Sequence, residues 1–189
     1  MNLKRALFEI HDKNMKDSEQ EKYVGDILTN DGSNTKTLTE RINKGYGIVN
    51  EIISILDEIP LGPYKVPVGI KLREAMLLNG ILFNSEIWYN FRDEDIEKLS
   101  IVDEYLLRSI LGAPSKTPKE TLFLETGCKP IKYIIKKRRL MYLQHILKRK
   151  NEELINRFYI AQNLKPSKND WLLTIENDKK ELGITLEDE

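Results

Sequence analysis

A chain of 189 residues, 40% apolar and 32% charged, can bury one sizeable core with room for a small appendage. Its 30 basic and 30 acidic side chains cancel, which confines any polyanion-binding face to a local patch. One cysteine, Cys128, and two histidines, His11 and His145, exclude an internal disulfide and a zinc site built from these residue types.

The apolar run in MNLKRALFEIHDK is too short for a signal peptide, and no stretch reads as a bilayer span. An intracellular protein with no membrane partner, in a reducing compartment, is therefore expected. Residues 6–10 and 23–29 are short apolar runs separated by a polar stretch. They are predicted to pair as a β-hairpin, with Asn30-Asp31-Gly32 as the turn closing the second strand. Two strands alone are marginal in water, so the hairpin must lean on the helices or come from a larger sheet.

Ser33, Asn34 and Thr35 offer N-caps for a long helix. Leu38, Ile42, Gly45, Val49, Ile52, Leu56 and Ile59 then recur every three or four residues up to Pro60, which predicts one amphipathic helix. Gly45 and Gly47 inside it each cost about 1 kcal/mol relative to alanine. Close approach of another backbone and plain tolerance both account for them.

Residues 70–88 carry Ile70, Leu72, Met76, Leu77, Leu78, Ile81, Leu82, Phe83, Ile87 and Trp88 on nearly every face. Lys71, Arg73, Glu74, Asn79, Asn84 and Glu86 interrupt the run, so it reads as the central helix of a packed bundle. Glu86, flanked by Ile87 and Trp88, must reach water or find a donor.

Asp93 is predicted to cap a helix carrying Ile96, Leu99, Ile101, Val102, Tyr105, Leu106, Ile110 and Leu111, stopped by Gly112. Pro118 opens a short helix through Leu124, ended by Gly127, and Pro130 opens another over residues 131–149. Weaker helical patterns cover 151–163 and 170–182, with Pro166 between them. The fold class predicted is mainly α: five to seven helices around residues 70–88, with a small N-terminal β-hairpin. The chain divides into 1–32 as the hairpin, 33–164 as the helical domain, and 165–189 as a C-terminal helix and tail.

No acidic residue occurs between Thr126 and Asn151, while Lys132, Lys136, Lys137, Arg138, Arg139, Lys148, Arg149 and Lys150 do. At 100° per residue, Lys132, Lys136 and Arg139 share one side, and Lys137 and Lys148 another. Such stripes suit contact with phosphates. They equally suit a solvated helix face with lysines lying along apolar surface. Arg138 falls among Ile131, Ile134, Ile135 and Tyr142, where pairing with a buried acid is expected. Glu86, Glu104 and Glu125 are its candidate partners, and Arg108 is the alternative partner for Glu86. His145 on the same face is expected to be a hydrogen-bonded core residue.

Enzyme motifs are absent: no G-x-S-x-G, P-loop, H-E-x-x-H or G-x-G-x-x-G, and no two adjacent aspartates for a two-metal site. No cofactor and no metal are expected.

The motifs nevertheless form a series. Glu21-Lys22-Tyr23-Val24-Gly25-Asp26 with Asp31-Gly32 is followed by Glu40-Arg41-Ile42, then by Asn84-Ser85-Glu86-Ile87-Trp88 and Leu107-Arg108-Ser109-Ile110-Leu111-Gly112. Glu125-Thr126-Gly127 and the run from Arg138 to Leu147 complete it. In order and spacing, from about Lys22 to Arg149, this resembles the region after the catalytic palm in non-LTR (LINE-type) retrotransposon reverse transcriptases.

The resemblance implies that Tyr23-Val24-Gly25, with valine for the usual leucine, belongs to a primer-grip hairpin at the palm's edge. It implies that the helices form a thumb-like domain holding a template–primer duplex, with Tyr23, Gly25, Lys132, Lys136, Lys137, Arg139 and Lys148 as nucleic-acid contacts. The family's nucleotide-binding aspartates are missing from this chain. It is therefore expected to be non-catalytic alone, with a polymerase palm domain upstream or in trans as partner. The alternative is a helical protein-interaction module derived from such an element.

Overall fold

The computed structural model describes residues 9–10, 13–14, 19–23, 25–30, 33–58, 60, 62–89, 91–165 and 170–184. Its first elements are two small antiparallel ladders: β1 (Glu9–Ile10) with β2 (Lys13–Asn14), and β3 (Gln20–Tyr23) with β4 (Asp26–Thr29). In the second, Gln20 faces Thr29 and Tyr23 faces Asp26. The run 23–29 is thus not one strand. Gly25 has φ +87°, a left-handed conformation that glycine adopts without strain, and it turns the chain in the middle of that run. The expected partner strand, residues 6–8, and the Asp31-Gly32 turn lie outside the described residues.

The rest of the described chain is helical: α1 (Thr35–Glu58), α2 (Lys65–Leu72), α3 (Asn79–Ile81), α4 (Asp93–Leu111), α5 (Lys119–Thr126), α6 (Ile131–Leu147), α7 (Leu154–Leu164) and α8 (Trp171–Leu182). A π-helical stretch, Arg73–Leu78, joins α2 to α3 without a break. The apolar stretch 70–88 is in the core, with Leu77, Ile81 and Leu82 fully enclosed and Leu78 and Trp88 buried. Its helix, however, begins at Lys65 and ends at Ile81. Asn84 then adopts φ 58°, and Ser85–Ile87 form a 3-10 turn. Lys71, Glu74, Ala75 and Asn79 keep one face in water.

The hub of the packing is α4, which meets α1, α2, α5 and α6. Its buried residues recur as Ile96, Leu99, Val102, Leu106 and Ile110, the helical repeat seen in the sequence. Asp93 is its first residue rather than its cap. The carboxylate of Asp95 instead accepts the backbone N–H of Arg92 at 3.2 Å. Gly45 lets α1 close on its neighbours: a Cβ there would stand 3.0 Å from Ile81 and from Val102, whereas one at Gly47 would meet nothing. Gly45 is thus crowded by side chains and not by another backbone, and tolerance accounts for Gly47.

Beneath the π-helical stretch, Arg73 is 2% exposed and grips Asp103 of α4 with two bonds of 2.5 and 2.7 Å. The same guanidinium donates to the Lys129 carbonyl at 3.1 Å. Burial pushes the Asp103 carboxyl up, and the Arg73 hydrogen bonds and charge pull it back. No described helix is long and apolar enough to cross a membrane.

Candidate nucleic-acid interface

Where α3 ends, its last carbonyls lack intrahelical donors, and the chain turns away through residues 82–88. Arginines from two distant helices supply those donors. Arg41 of α1 donates to the Ile81 carbonyl at 3.0 Å, and Arg138 of α6 donates to the Leu82 carbonyl at 2.5 Å and the Ser85 hydroxyl at 3.3 Å. Arg139 adds a bond to the Trp88 carbonyl at 3.0 Å. This turn is the joint of the molecule.

The hairpin is fastened to the same joint. Arg41 forms an ion pair with Asp26 of β4, and Asn84 donates to the other Asp26 oxygen at 3.4 Å. The Thr37 hydroxyl accepts the Ile27 N–H at 3.0 Å and donates to the Ile27 carbonyl at 3.1 Å, as a neighbouring strand would. The Arg41 guanidinium lies 4.8 Å from the centre of the Trp88 ring, which stacks on Phe91. Four of the sequence motifs, those holding Asp26, Arg41, Asn84 to Trp88, and Arg138 with Arg139, therefore meet in one place. Two others serve as helix ends: Gly112 and Gly127 take the left-handed conformation after α4 and α5.

Beside the joint is a cleft of about 450 Å³ between the hairpin, α1 and α3. Lys22, Glu40, Asn43, Lys44, Asn79 and Phe83 line it with Arg41 and Gly80, and Gly25 stands at the hairpin turn. Phe83 is 47% exposed, and a Cβ on Gly25 would come within 3.3 Å of its ring. Lys22 pairs with Glu40 at 3.2 Å across the surface. Gly25 thus lies at a candidate contact. The Tyr23 side chain lies outside the described residues.

The basic helix is arranged differently from the expectation. Lys136 and Arg139 are each 4% exposed and are held by α8: Asp178 accepts from Arg139 at 2.7 and 3.1 Å and lies 3.4 Å from Lys136. Glu181 takes Lys136 as well, and Lys132 at 3.0 Å. The hydrogen bond to Glu181 pushes the Lys132 ammonium up, and hydrogen bonds from Lys136 and Lys132 hold the Glu181 carboxyl down. Lys132, Lys136 and Arg139 therefore have carboxylate partners within the chain. Lys137 and Lys148 are exposed.

The expected ion pair at Glu86 does not form. Among the described residues, Glu86 contacts neither Arg108 nor Arg138; its backbone carbonyl instead accepts the Trp171 indole N–H at 2.7 Å. Arg138 is consumed by the carbonyls of the joint, and Arg108 pairs with Glu104 one turn away at 3.4 Å and reaches the Thr117 carbonyl. Glu86 itself is half-buried. His145 is exposed rather than in the core; it stacks on Tyr142 and lies 3.1 Å from an Arg149 nitrogen.

Two buried charge pairs at the heart of the fold escaped sequence reasoning, Arg73–Asp103 and Arg41–Asp26. The first had a usable signal: Asp103 falls within the apolar stripe of α4, beside Leu99, Val102, Leu106 and Leu107. Among the described residues, no three acidic, histidine or cysteine side chains gather as a metal site. Comparison with known proteins finds no matching family model and no significant match to a curated protein or a solved structure.

Proposed function

We propose that the chain is the non-catalytic thumb-like portion of a non-LTR-type reverse transcriptase and that it holds a template–primer duplex. One observation carries the reading: motif segments far apart in sequence converge on the Asp26–Arg41–Asn84 joint, which fixes a hairpin turn beside a cleft bearing lysines and an exposed ring. A grip on a nucleic-acid end needs its elements held in one orientation, and a swinging hairpin would lose that. Lys22 and Lys44 suit phosphates, the Asn43 and Asn79 amides suit sugar and base edges, and Phe83 suits an unstacked base or sugar face.

In this reading the polymerase aspartates belong to a palm domain outside this sequence, and the protein acts inside the cell. Primer extension with Mg²⁺ by the chain alone is expected to incorporate nothing. The direct test is titration of a fluorescent RNA–DNA hybrid between about 50 and 200 mM salt. Lys22→Gln, Lys44→Gln and Phe83→Ala should each weaken binding, and each lysine change should flatten the log–log salt slope by up to about 1. Binding indifferent to all three changes would defeat the assignment.

A second reading, a protein-interaction module, is favoured by α7, where Leu154, Phe158 and Leu164 are 67%, 63% and 77% exposed. Such an interface would bind with little sensitivity to salt.

A further inference from the structure

We propose that α8 is an intramolecular cover on a second polyanion-binding face, and that nucleic acid competes with it for Lys132, Lys136 and Arg139. This rests on the nucleic-acid function proposed for the chain and adds a form of self-regulation to it.

Nine basic residues lie between Thr126 and Asn151 with no acid among them, so every neutralising group must come from elsewhere in the chain. For the first half of α6 they come from one helix. Asp178 and Glu181 stand three residues apart on α8, hence on one face, and together engage all three cations. To those cations two carboxylates on one helix face present what two phosphates of a strand would: adjacent anions, each open to charge-assisted hydrogen bonds.

Apolar contact holds α8 only thinly. Ile175 is its one fully buried apolar residue, while Trp171, Leu172 and Leu182 are half-buried. Near its C-terminal end an open groove of about 530 Å³ remains between Tyr133, Leu140, Met141, Leu182 and Ile184. Met141 is 58% exposed there. At its N-terminal end the Trp171 indole donates to the Glu86 carbonyl and meets Tyr142 edge-on, but the rest of the seat is held by ion pairs, which a competing polyanion can displace.

What would be uncovered is already shaped. Arg139 keeps its bond to the Trp88 carbonyl when α8 leaves, so its guanidinium stays fixed on the joint. Lys132 and Lys136 lie beside it at helical spacing on the same side of α6. Exchanging carboxylate for phosphate spares most of the desolvation that a bare cation would face, so the two occupants compete closely. The covered fraction then weakens the apparent affinity in proportion.

The test uses the full chain and a fluorescent RNA–DNA hybrid. Glu181→Gln is the chosen variant because Glu181 is 46% exposed and its loss leaves Asp178 in position. Affinity should rise roughly two- to fivefold, the range an exposed ion pair commands. In the unaltered chain, saturating hybrid should speed hydrogen exchange of the α8 amides while those of α4 stay protected. A folded Glu181→Gln chain with unchanged affinity, still binding through Lys22 and Lys44, overturns the cover and leaves the nucleic-acid reading standing. Slower or unchanged α8 exchange with hybrid bound also overturns it. No hybrid binding by either protein overturns both.

Discussion

Arg41 and Asp26 form the ion pair that ties the hairpin to the helices, and the arginine brings with it the Ile81 carbonyl and the face of Trp88. The Arg41 side chain is 5% exposed and that of Asp26 20%. Breaking a buried pair from one side typically costs about 3–5 kcal/mol, because the other charge is stranded. Asp26→Asn should fall toward the lower end of that range, since water reaches the carboxylate. Urea denaturation measures it. Lys22→Gln, which removes the exposed pair with Glu40, should cost less than about 1 kcal/mol.

Glu86→Gln should leave stability within about 0.5 kcal/mol of the parent, because the Glu86 carboxylate has no ion pair to lose among the described residues. Asp103→Asn should be far more damaging, leaving the buried Arg73 guanidinium with neutral acceptors only and no compensating charge. Melting followed by circular dichroism separates the two. A clear drop for Glu86→Gln would mean that its carboxylate has a partner in solution.

What the sequence disclosed and what it hid divide along a physical line. Some helix ends were legible because their causes are local: glycines follow α4 and α5, as their sequence implied, whereas the central helix starts and ends earlier than its apolar run. Most of the α4 stripe was legible from its period, although Ile101 and Tyr105, read with it, are exposed. The hairpin register was misread because apolar residues flank Gly25 on both sides, and only its left-handed backbone shows that the strand ends there. Ion-pair partners were hidden for another reason. Glu86, Arg108 and Arg138 are each plausible mates by composition, and the choice depends on which carbonyls the end of α3 leaves bare. That Asp178 and Glu181 share a face could be read from their spacing; that this face meets α6 is a matter of tertiary packing.

Gly45→Ala tests the close contact of α1. The added methyl gains up to about 1 kcal/mol of helix propensity but must displace Ile81 and Val102 from 3.0 Å. Overpacking of this kind costs about 1–3 kcal/mol, so net destabilisation is expected. Gly47→Ala meets open space and should stabilise by up to about 1 kcal/mol. Thermal unfolding of the two variants should therefore move in opposite directions. Equal shifts would show that the Ile81 and Val102 side chains do not crowd Gly45.

The seat of α8 should depend on pH, with a sign set by two shifts. Hydrogen bonds from Lys136 and Lys132 hold the Glu181 carboxyl below the ordinary glutamate range. A depressed folded-state value means that the contribution is present at neutral pH and is lost as pH falls through that value. Lys132 is shifted the other way, raised chiefly by its hydrogen bond to Glu181. Its contribution is complete below the ordinary lysine range and is lost only as pH rises through the raised value. Between these limits docking should be flat. The Trp171 indole N–H, bonded to the Glu86 carbonyl at 2.7 Å and edge-on to Tyr142, gives a proton resonance that reports the docked helix. Acidification should shift that resonance at a midpoint below the ordinary glutamate range while α4 stays folded. Glu181→Gln should abolish that component of the titration. A transition of the same size and midpoint in Glu181→Gln would show that Glu181 is not the source of the acid sensitivity.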